Sequence, residues 1–226
     1  MTQTIPPLPP HWPYAPRSAS PLTQPREGVD LPGLAGPWHL EALPDLRFQE
    51  PAEGLGQAFG RGGVLRAGSL VLRPYRRGGL VRFLNSRTYL GPGRFQAEFQ
   101  IHRALWDAGL PTVEPLGWAH RPRAWGVEGV FLTRFAQAQP WPRNWDASAA
   151  VLPQLRTLLA ALCAWGIHAP DLNATNILVT PDGALLALDW DRAHWAPAPG
   201  LLDRYRRRLT RSLTKLGAPP EVIAAL

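Results

Sequence analysis

Residues 168–179 read "HAPDLNATNILV", with one Asp and two Asn set close together and followed at once by an unbroken apolar run. Beyond it lie "TPDG" at 180–183 and a second apolar run, "ALLAL", at 184–188. Thr-Pro-Asp-Gly is a favourable turn sequence, so the spacing predicts a hairpin whose strands are "NILV" and "ALLAL". A hairpin brings its two flanking positions together, so Asn176 at its start and Asp189 at its end converge. An amide oxygen and a carboxylate are hard oxygen ligands suited to Mg²⁺, which completes its shell with water and phosphate oxygens. Asp171, just upstream of that pair, is then available to accept the proton of an attacking hydroxyl. On this reading the polar cluster is a phosphoryl-transfer loop, and the apolar run is the strand that holds it. The plainer alternative is that Asp171 and Asn173 cap a turn and Asp189 merely ends a strand.

Upstream of the loop, residues 147–165 carry Leu152, Leu155, Leu158, Leu159 and Leu162 on one helical face. Asp146 or Ser148 is the expected cap, and Pro153 is expected to delay or kink the helix. Further back, "GRFQAEFQIHRALWDAGLP" places Phe95, Phe99, His102, Leu105 and Trp106 on a second helical stripe, closed by Gly109 and Pro111. Glu98 falls on that same stripe. Short β-like runs fill the rest: the glycine-broken segment from about residue 45 to 90, with a turn at Ala67-Gly68, then "TVEPLGW" and "GVFLTRF". The order of elements is that of an α+β chain in two layers or lobes. Residues 1–37 hold ten of the 26 prolines, so regular pairing is not expected there, and the segment reads as a loosely ordered arm or strap.

The 226 residues are enough for one sizeable core or two small lobes. No run approaches the roughly 18 apolar residues of a membrane span, and no secretory signal opens the chain, so a soluble, cytoplasmic protein is expected. The single cysteine, Cys163, excludes an internal disulfide and reads as a small core residue. The net charge of +7 is carried by arginine, because Lys215 is the only lysine. Arg204, Arg207, Arg208, Arg211 and Lys215 lie opposite Leu202, Tyr205, Leu209, Leu213 and Leu216 at helical spacing. That helix either rests its apolar face on the core and leaves its arginines in water, or draws in an anionic glycolipid or the inner membrane surface. No recognisable nucleic-acid-binding module accompanies the charge, so nucleic acid is not an expected partner.

The pattern D-x-x-x-x-N at Asp171–Asn176, followed by an apolar hairpin and Asp189, resembles the catalytic loop and metal-binding Asp of the protein-kinase-like fold. More narrowly, "DLNATNILV", "ALDWDRA", "LVLRPYRRGGLV", "GLPTVEPLGW" and "RYRRRLTRSLTK" resemble the bacterial lipopolysaccharide kinases of the Kdo kinase type, over about residues 55–216. The resemblance implies a small N-terminal β-rich lobe over 41–136 and a reduced helical C-terminal lobe over 137–226, preceded by a Pro-rich arm at 1–40. It implies an ATP- and Mg-dependent kinase that phosphorylates a sugar hydroxyl of a lipopolysaccharide-core-like (Kdo or heptose) or other envelope glycan. The setting implied is cytoplasmic, peripheral on the inner membrane.

By the same resemblance Asp171 is the catalytic base, and Asn176 and Asp189 are the metal ligands. Glu98 is the helix carboxylate that pairs with a phosphate-holding cation, its alternative being a stripe-edge Glu in water. Gly60, Gly62 and Gly63 match the loop over the nucleotide phosphates, although glycines before a strand are also ordinary turn formers. Kinases of this fold place a lysine on the third strand. Here Arg73 occupies that place by strand order, and its planar fork suits both Glu98 and phosphate. His168 stands three residues before Asp171 where two is usual, and either braces the loop or sits in the core. "DWD" replaces Asp-Phe-Gly, so Trp190 takes the packing role, while Asp191 meets substrate or a second metal or pairs with Arg192. Two alternatives stay open: a small-molecule or protein kinase of the same fold, and a nucleotide-binding pseudokinase acting as an interaction module.

Overall fold

A computed structural model describes residues 5–18, 21–55, 63–75 and 88–226. The chain divides into two compact units, one of Ala19–Arg103 with Glu114–Phe135, the other of Met1–Ser18, Ala104–Val113 and Ala136–Leu226. The Pro-rich arm is therefore not a domain of its own. Its two ends belong to different units, and residues 104–113 belong with the C-terminal segment.

The first unit is built on an antiparallel seven-stranded sheet. Its strands are β1 (Gln24–Leu31), β2 (Leu34–Ala42), β3 (Glu53–Gly54), β4 (Leu65–Ala67), β5 (Leu70–Pro74), β6 (Pro115–Arg123) and β7 (Gly126–Arg134), in the order β1-β2-β6-β7-β5-β4-β3. Sheet pairing thus begins at Gln24, inside the segment where prolines argued against it. Pro25 is tolerated because β1 is an edge strand and owes no ladder bond on its outer side. Pro32 and Gly33 turn β1 into β2, with Gly33 left-handed at φ 70° as that turn requires. Trp38, Leu40 and Ala42 then alternate inward, joining Leu72, Leu116, Val130 and Leu132 in one core cluster.

Helix α1 (Gly93–Asp107) lays Phe95 and Phe99 onto the sheet beside Tyr75, Tyr89, Trp118 and Phe131. Gly129 permits this approach, since a Cβ there would lie 2.4 Å from the Phe95 ring. Glu98, on the same stripe, is carried into the buried layer, 3% exposed.

The second unit gathers the short strands β8 (Gln139–Pro140), β9 (Ile167–His168), β10 (Ile177–Val179), β11 (Leu185–Ala187) and β12 (His194–Trp195) around helix α2 (Ser148–Ala164), with α3 (Leu201–Lys215) and α4 (Pro220–Ala224) following. All five predicted leucines of α2 are buried. Neither expected cap acts as one: Ser148 Oγ instead accepts from the buried Trp141 Nε1 at 3.0 Å, and the helix starts directly from a short 3₁₀ turn. Pro153 lies inside the helix without ending it. By length and composition Trp145–Ala164 is long and apolar enough to cross a membrane, contrary to the expectation from the sequence, although here its leucine face fills the core.

The predicted hairpin forms with Ile177 opposite Ala187 and Val179 opposite Leu185. Gln154 on α2 holds it through both amide atoms, donating to Gly183 O and accepting from Leu185 N, each at 2.9 Å. The arm residues 5–18 are ordered on this unit. Trp12 Nε1 donates to Ala108 O at 2.6 Å and its ring meets Trp165, while the Arg17 guanidinium stacks over Trp106. Large aromatic surfaces, not regular backbone pairing, tie down a proline-rich segment that has few N–H groups to offer.

Candidate active site

The loop between β9 and β10 is held at both ends by backbone pairing. Upstream, His168 pairs with His194 across β9 and β12. Downstream, Leu188 N donates to Asn176 O at 2.8 Å, extending the hairpin ladder by one step. Asn176 therefore faces Leu188, and Asp189 follows immediately at the same end of the hairpin. Within the loop both asparagines donate their amide nitrogens to the Asp171 carbonyl, Asn173 at 2.8 Å and Asn176 at 2.9 Å. Asn173 also accepts from Thr175 N and so caps the 3₁₀ turn Ala174–Asn176. The plain capping role thus holds for Asn173.

A carbonyl acceptor requires the nitrogen of Asn176 to face Asp171, which turns Oδ1 the other way. Among the described residues that oxygen accepts no hydrogen bond. An amide oxygen without a donor, at the hairpin end that also carries Asp189, is a donor set that fits Mg²⁺ completed by water and phosphate oxygens. Among the described residues no group of three or more His, Cys, Asp or Glu could hold a metal ion. Asp189 adopts a left-handed backbone, φ 63°, an unfavourable state that Asp tolerates better than most and that is common at functional sites. Behind it Trp190 is buried and donates from Nε1 to Thr112 Oγ1 at 2.9 Å, which anchors the segment.

The Asp171 carboxyl is partly exposed, at 29%, with Arg208 Nη2 3.3 Å from Oδ1. Burial pushes its pKa up. Arg192 and Arg208 pull it down, and Asp189 and Asp191 add to the rise. A carboxylate whose proton affinity is raised above the ordinary range is better suited to accept a proton from a hydroxyl. Three further supports come from α3. Tyr205 Oη donates to Ile167 O and accepts from Ala169 N, Ser212 Oγ accepts from Ala174 N, and Arg208 Nε donates to Leu172 O. None of these was found from the sequence. The one available signal was Tyr205, a polar-tipped residue on the buried stripe. That stripe runs through Leu201, Tyr205, Leu209 and Leu213; Leu202 is only half-buried and Leu216 is exposed, because the helix starts at Leu201 and ends at Lys215. Cys163 is half-buried, and burial raises its thiol pKa, the opposite of a nucleophile's shift.

In the sheet unit, Arg73 on β5 forms an ion pair with Glu98 on α1, and Tyr75 Oη donates to the second carboxylate oxygen. Glu98 is thus not a stripe-edge residue in water; its burial is matched by a charged partner and a hydroxyl. Gly63 is exposed with φ 68°, a left-handed state that favours glycine. Gly60 and Gly62 lie outside the described residues.

Two histidines set a pH dependence. Burial, and then the His39 ring stacked 4.9 Å away, push His120 below the ordinary histidine value. Burial, then His194 and Arg204, Arg192 and Arg208, do the same to His168. Each stays neutral in the folded protein at a pH where the unfolded chain already binds a proton. Their contribution to stability is full above about pH 6.5 and is lost as pH falls from there through the lowered folded values. The urea midpoint is expected to drop between about pH 7.5 and 5.5, and the His120→Gln, His168→Gln double variant is expected to show a flatter profile. An identical slope in the double variant would contradict this.

Comparison with known proteins adds the family. No protein-family model matches the chain. A 3-deoxy-D-manno-octulosonic acid kinase of Xanthomonas oryzae pv. oryzae is 30% identical over 203 residues, covering 83% of this chain and 70% of that protein. One of Xanthomonas campestris pv. campestris is 33% identical over 169 residues, covering 70% of this chain and 68% of that protein. The chain belongs to the 3-deoxy-D-manno-octulosonic acid kinase family. The family member of Xylella fastidiosa strain M12 is 32% identical over 166 residues, and this chain spans 63% of its length. Among solved structures, WbdD matches with a TM-score of 0.50 at 16% identity, covering 78% of this chain and 39% of that one. At that identity the likeness speaks to fold, and the fold of this family member is the protein-kinase-like α+β fold.

Proposed function

We infer that the protein is an ATP-dependent phosphotransferase whose acceptor is a sugar hydroxyl of the 3-deoxy-D-manno-octulosonic acid type. The observation that carries the reading is the convergence at the β10–β11 end. Asn176 clamps the Asp171 carbonyl, turns its own oxygen outward, and faces the residue before Asp189. Family membership alongside relatives named for that kinase activity supports the acceptor class. The acceptor oxygen forms a bond to the γ-phosphorus as the bond from that phosphorus to the β–γ bridging oxygen breaks. ADP leaves, and the hydroxyl proton passes to the Asp171 carboxylate. Asn176 and Asp189 are the residues assigned to Mg²⁺, which when bound neutralises phosphate charge. Arg73, oriented by Glu98, is assigned to the nucleotide phosphates in place of the usual lysine. We place the reaction at the cytoplasmic face of the inner membrane, with the exposed Arg207 and Arg211 of α3 toward anionic headgroups.

Purified protein incubated with ATP, Mg²⁺ and the methyl glycoside of 3-deoxy-D-manno-octulosonic acid is expected to yield the phosphorylated sugar by mass spectrometry. Nucleotide-dependent thermal stabilisation without phosphate transfer to this or any glycan extract would instead favour a binding module.

A further inference from the structure

Helix α3 does more than brace the loop. Arg208 approaches it twice, through Nε to Leu172 O at 3.1 Å and through Nη2 to Asp171 Oδ1 at 3.3 Å. The second contact is long for a charge-assisted hydrogen bond and joins partly exposed groups, 42% and 29% exposed, so it holds Arg208 only weakly. Arg204 sits one turn earlier on the same helix face. Arg192, from the segment after Asp189, holds a left-handed backbone at φ 64°. Arg208 touches the loop directly, and the charges of all three bear on His168 and those of Arg192 and Arg208 on Asp171, so all three guanidinium groups lie near the catalytic loop.

Arg192 and Arg204 have no side-chain hydrogen bond or ion pair among the described residues. Three like charges around one loop repel one another, and of the nearby carboxylates Asp171, Asp189 and Asp191, the first two already have assigned roles in proton acceptance and metal binding, while no ion pair joins the third to Arg192 or Arg204. Two open guanidinium forks and a third weakly held one form a cationic surface whose complement is a planar anion.

We propose that Arg192, Arg204 and Arg208 form a subsite that recognises a carboxylate of the acceptor sugar and thereby presents a neighbouring hydroxyl to Asp171. The inference rests on the phosphotransferase reading for its acceptor and deepens it. Arg208 exchanges its weak contact with Asp171 for the sugar acid, and Arg204 supplies the second fork from the turn above. The acid is then a specificity determinant, and a neutral sugar of the same shape leaves the arginines unmatched.

The test compares the methyl glycoside of 3-deoxy-D-manno-octulosonic acid with its carboxamide, on the full chain. Calorimetric binding without nucleotide is expected to favour the acid by roughly 10- to 100-fold. The Arg192→Gln, Arg204→Gln double variant, which leaves the loop contacts of Arg208 in place, is expected to remove most of that preference and leave the carboxamide affinity and the KM for ATP unchanged. Equal affinity of the wild-type chain for acid and amide overturns the subsite, and that result needs no variant to fold. So does a double variant that keeps the preference, or one whose ATP KM rises instead, which would assign the arginines to nucleotide phosphate. Carboxylate-dependent binding with no phosphate transfer keeps the subsite and rejects the kinase reading. Transfer to acid and amide alike does the reverse.

Discussion

Asp171→Asn is expected to slow phosphate transfer by roughly 10²–10⁴-fold while the protein stays folded. The reason lies in how the residue is held. Its backbone carbonyl carries the structural contacts, from Asn173 and Asn176, and these survive the substitution. Its carboxylate makes one long contact, to Arg208, so the amide removes proton acceptance with little loss of packing. Initial rates at saturating ATP, beside a thermal melt of the same sample, separate the two effects. Turnover within a few-fold of the parent protein would remove Asp171 from its role. A collapsed melting transition would instead show that the carboxylate is structural.

Arg73→Ala is expected to be strongly destabilising, because it strips an ion pair from a buried carboxylate of the sheet unit. The Glu98 side chain is 1% exposed, and the substitution removes its ion pair with Arg73. Breaking a buried pair from one side costs about 3–5 kcal/mol; because Arg73 is itself about one-third exposed, about 2–3 kcal/mol is the fitting figure. Glu98→Gln keeps an acceptor for Tyr75 and leaves Arg73 with access to water, so it is expected to cost less. A urea-unfolding cycle of the two single variants and the double measures the coupling. A loss below about 0.5 kcal/mol for Arg73→Ala would mean that the pair is not what keeps Glu98 buried. The same variant is expected to raise the KM for ATP if Arg73 holds phosphate.

Much of this arrangement was legible because it is local. The β10–β11 hairpin follows from "TPDG" between two apolar runs, and its register alone delivers Asn176 and Asp189 to one end. The leucine stripe of α2 and the Phe95–Phe99 stripe of α1 follow from helical spacing. The arm was misjudged because proline content reports on backbone pairing, whereas Trp12 and Arg17 fasten residues 5–18 through rings and side-chain donors. Trp145–Ala164 reaches the apolar character of a span only on average, because Asp146, Gln154, Arg156 and Thr157 interrupt its apolar run and so hide it from a search for unbroken apolar stretches.

The chain order by itself determined helices α1 and α2, the β10–β11 hairpin, the polar loop before it and the carboxylate needing a cation on α1, since each depends on neighbours a few positions away. Only the tertiary structure decided that the Tyr75 hydroxyl joins Arg73 on that carboxylate, and that Tyr205, Ser212 and Arg208 of α3 close over the loop from 36 to 38 positions downstream. Such contacts join residues whose separation along the chain carries no periodic signal. They are chosen by which faces the buried leucines and aromatics bring together, and that choice exists only once the core has formed.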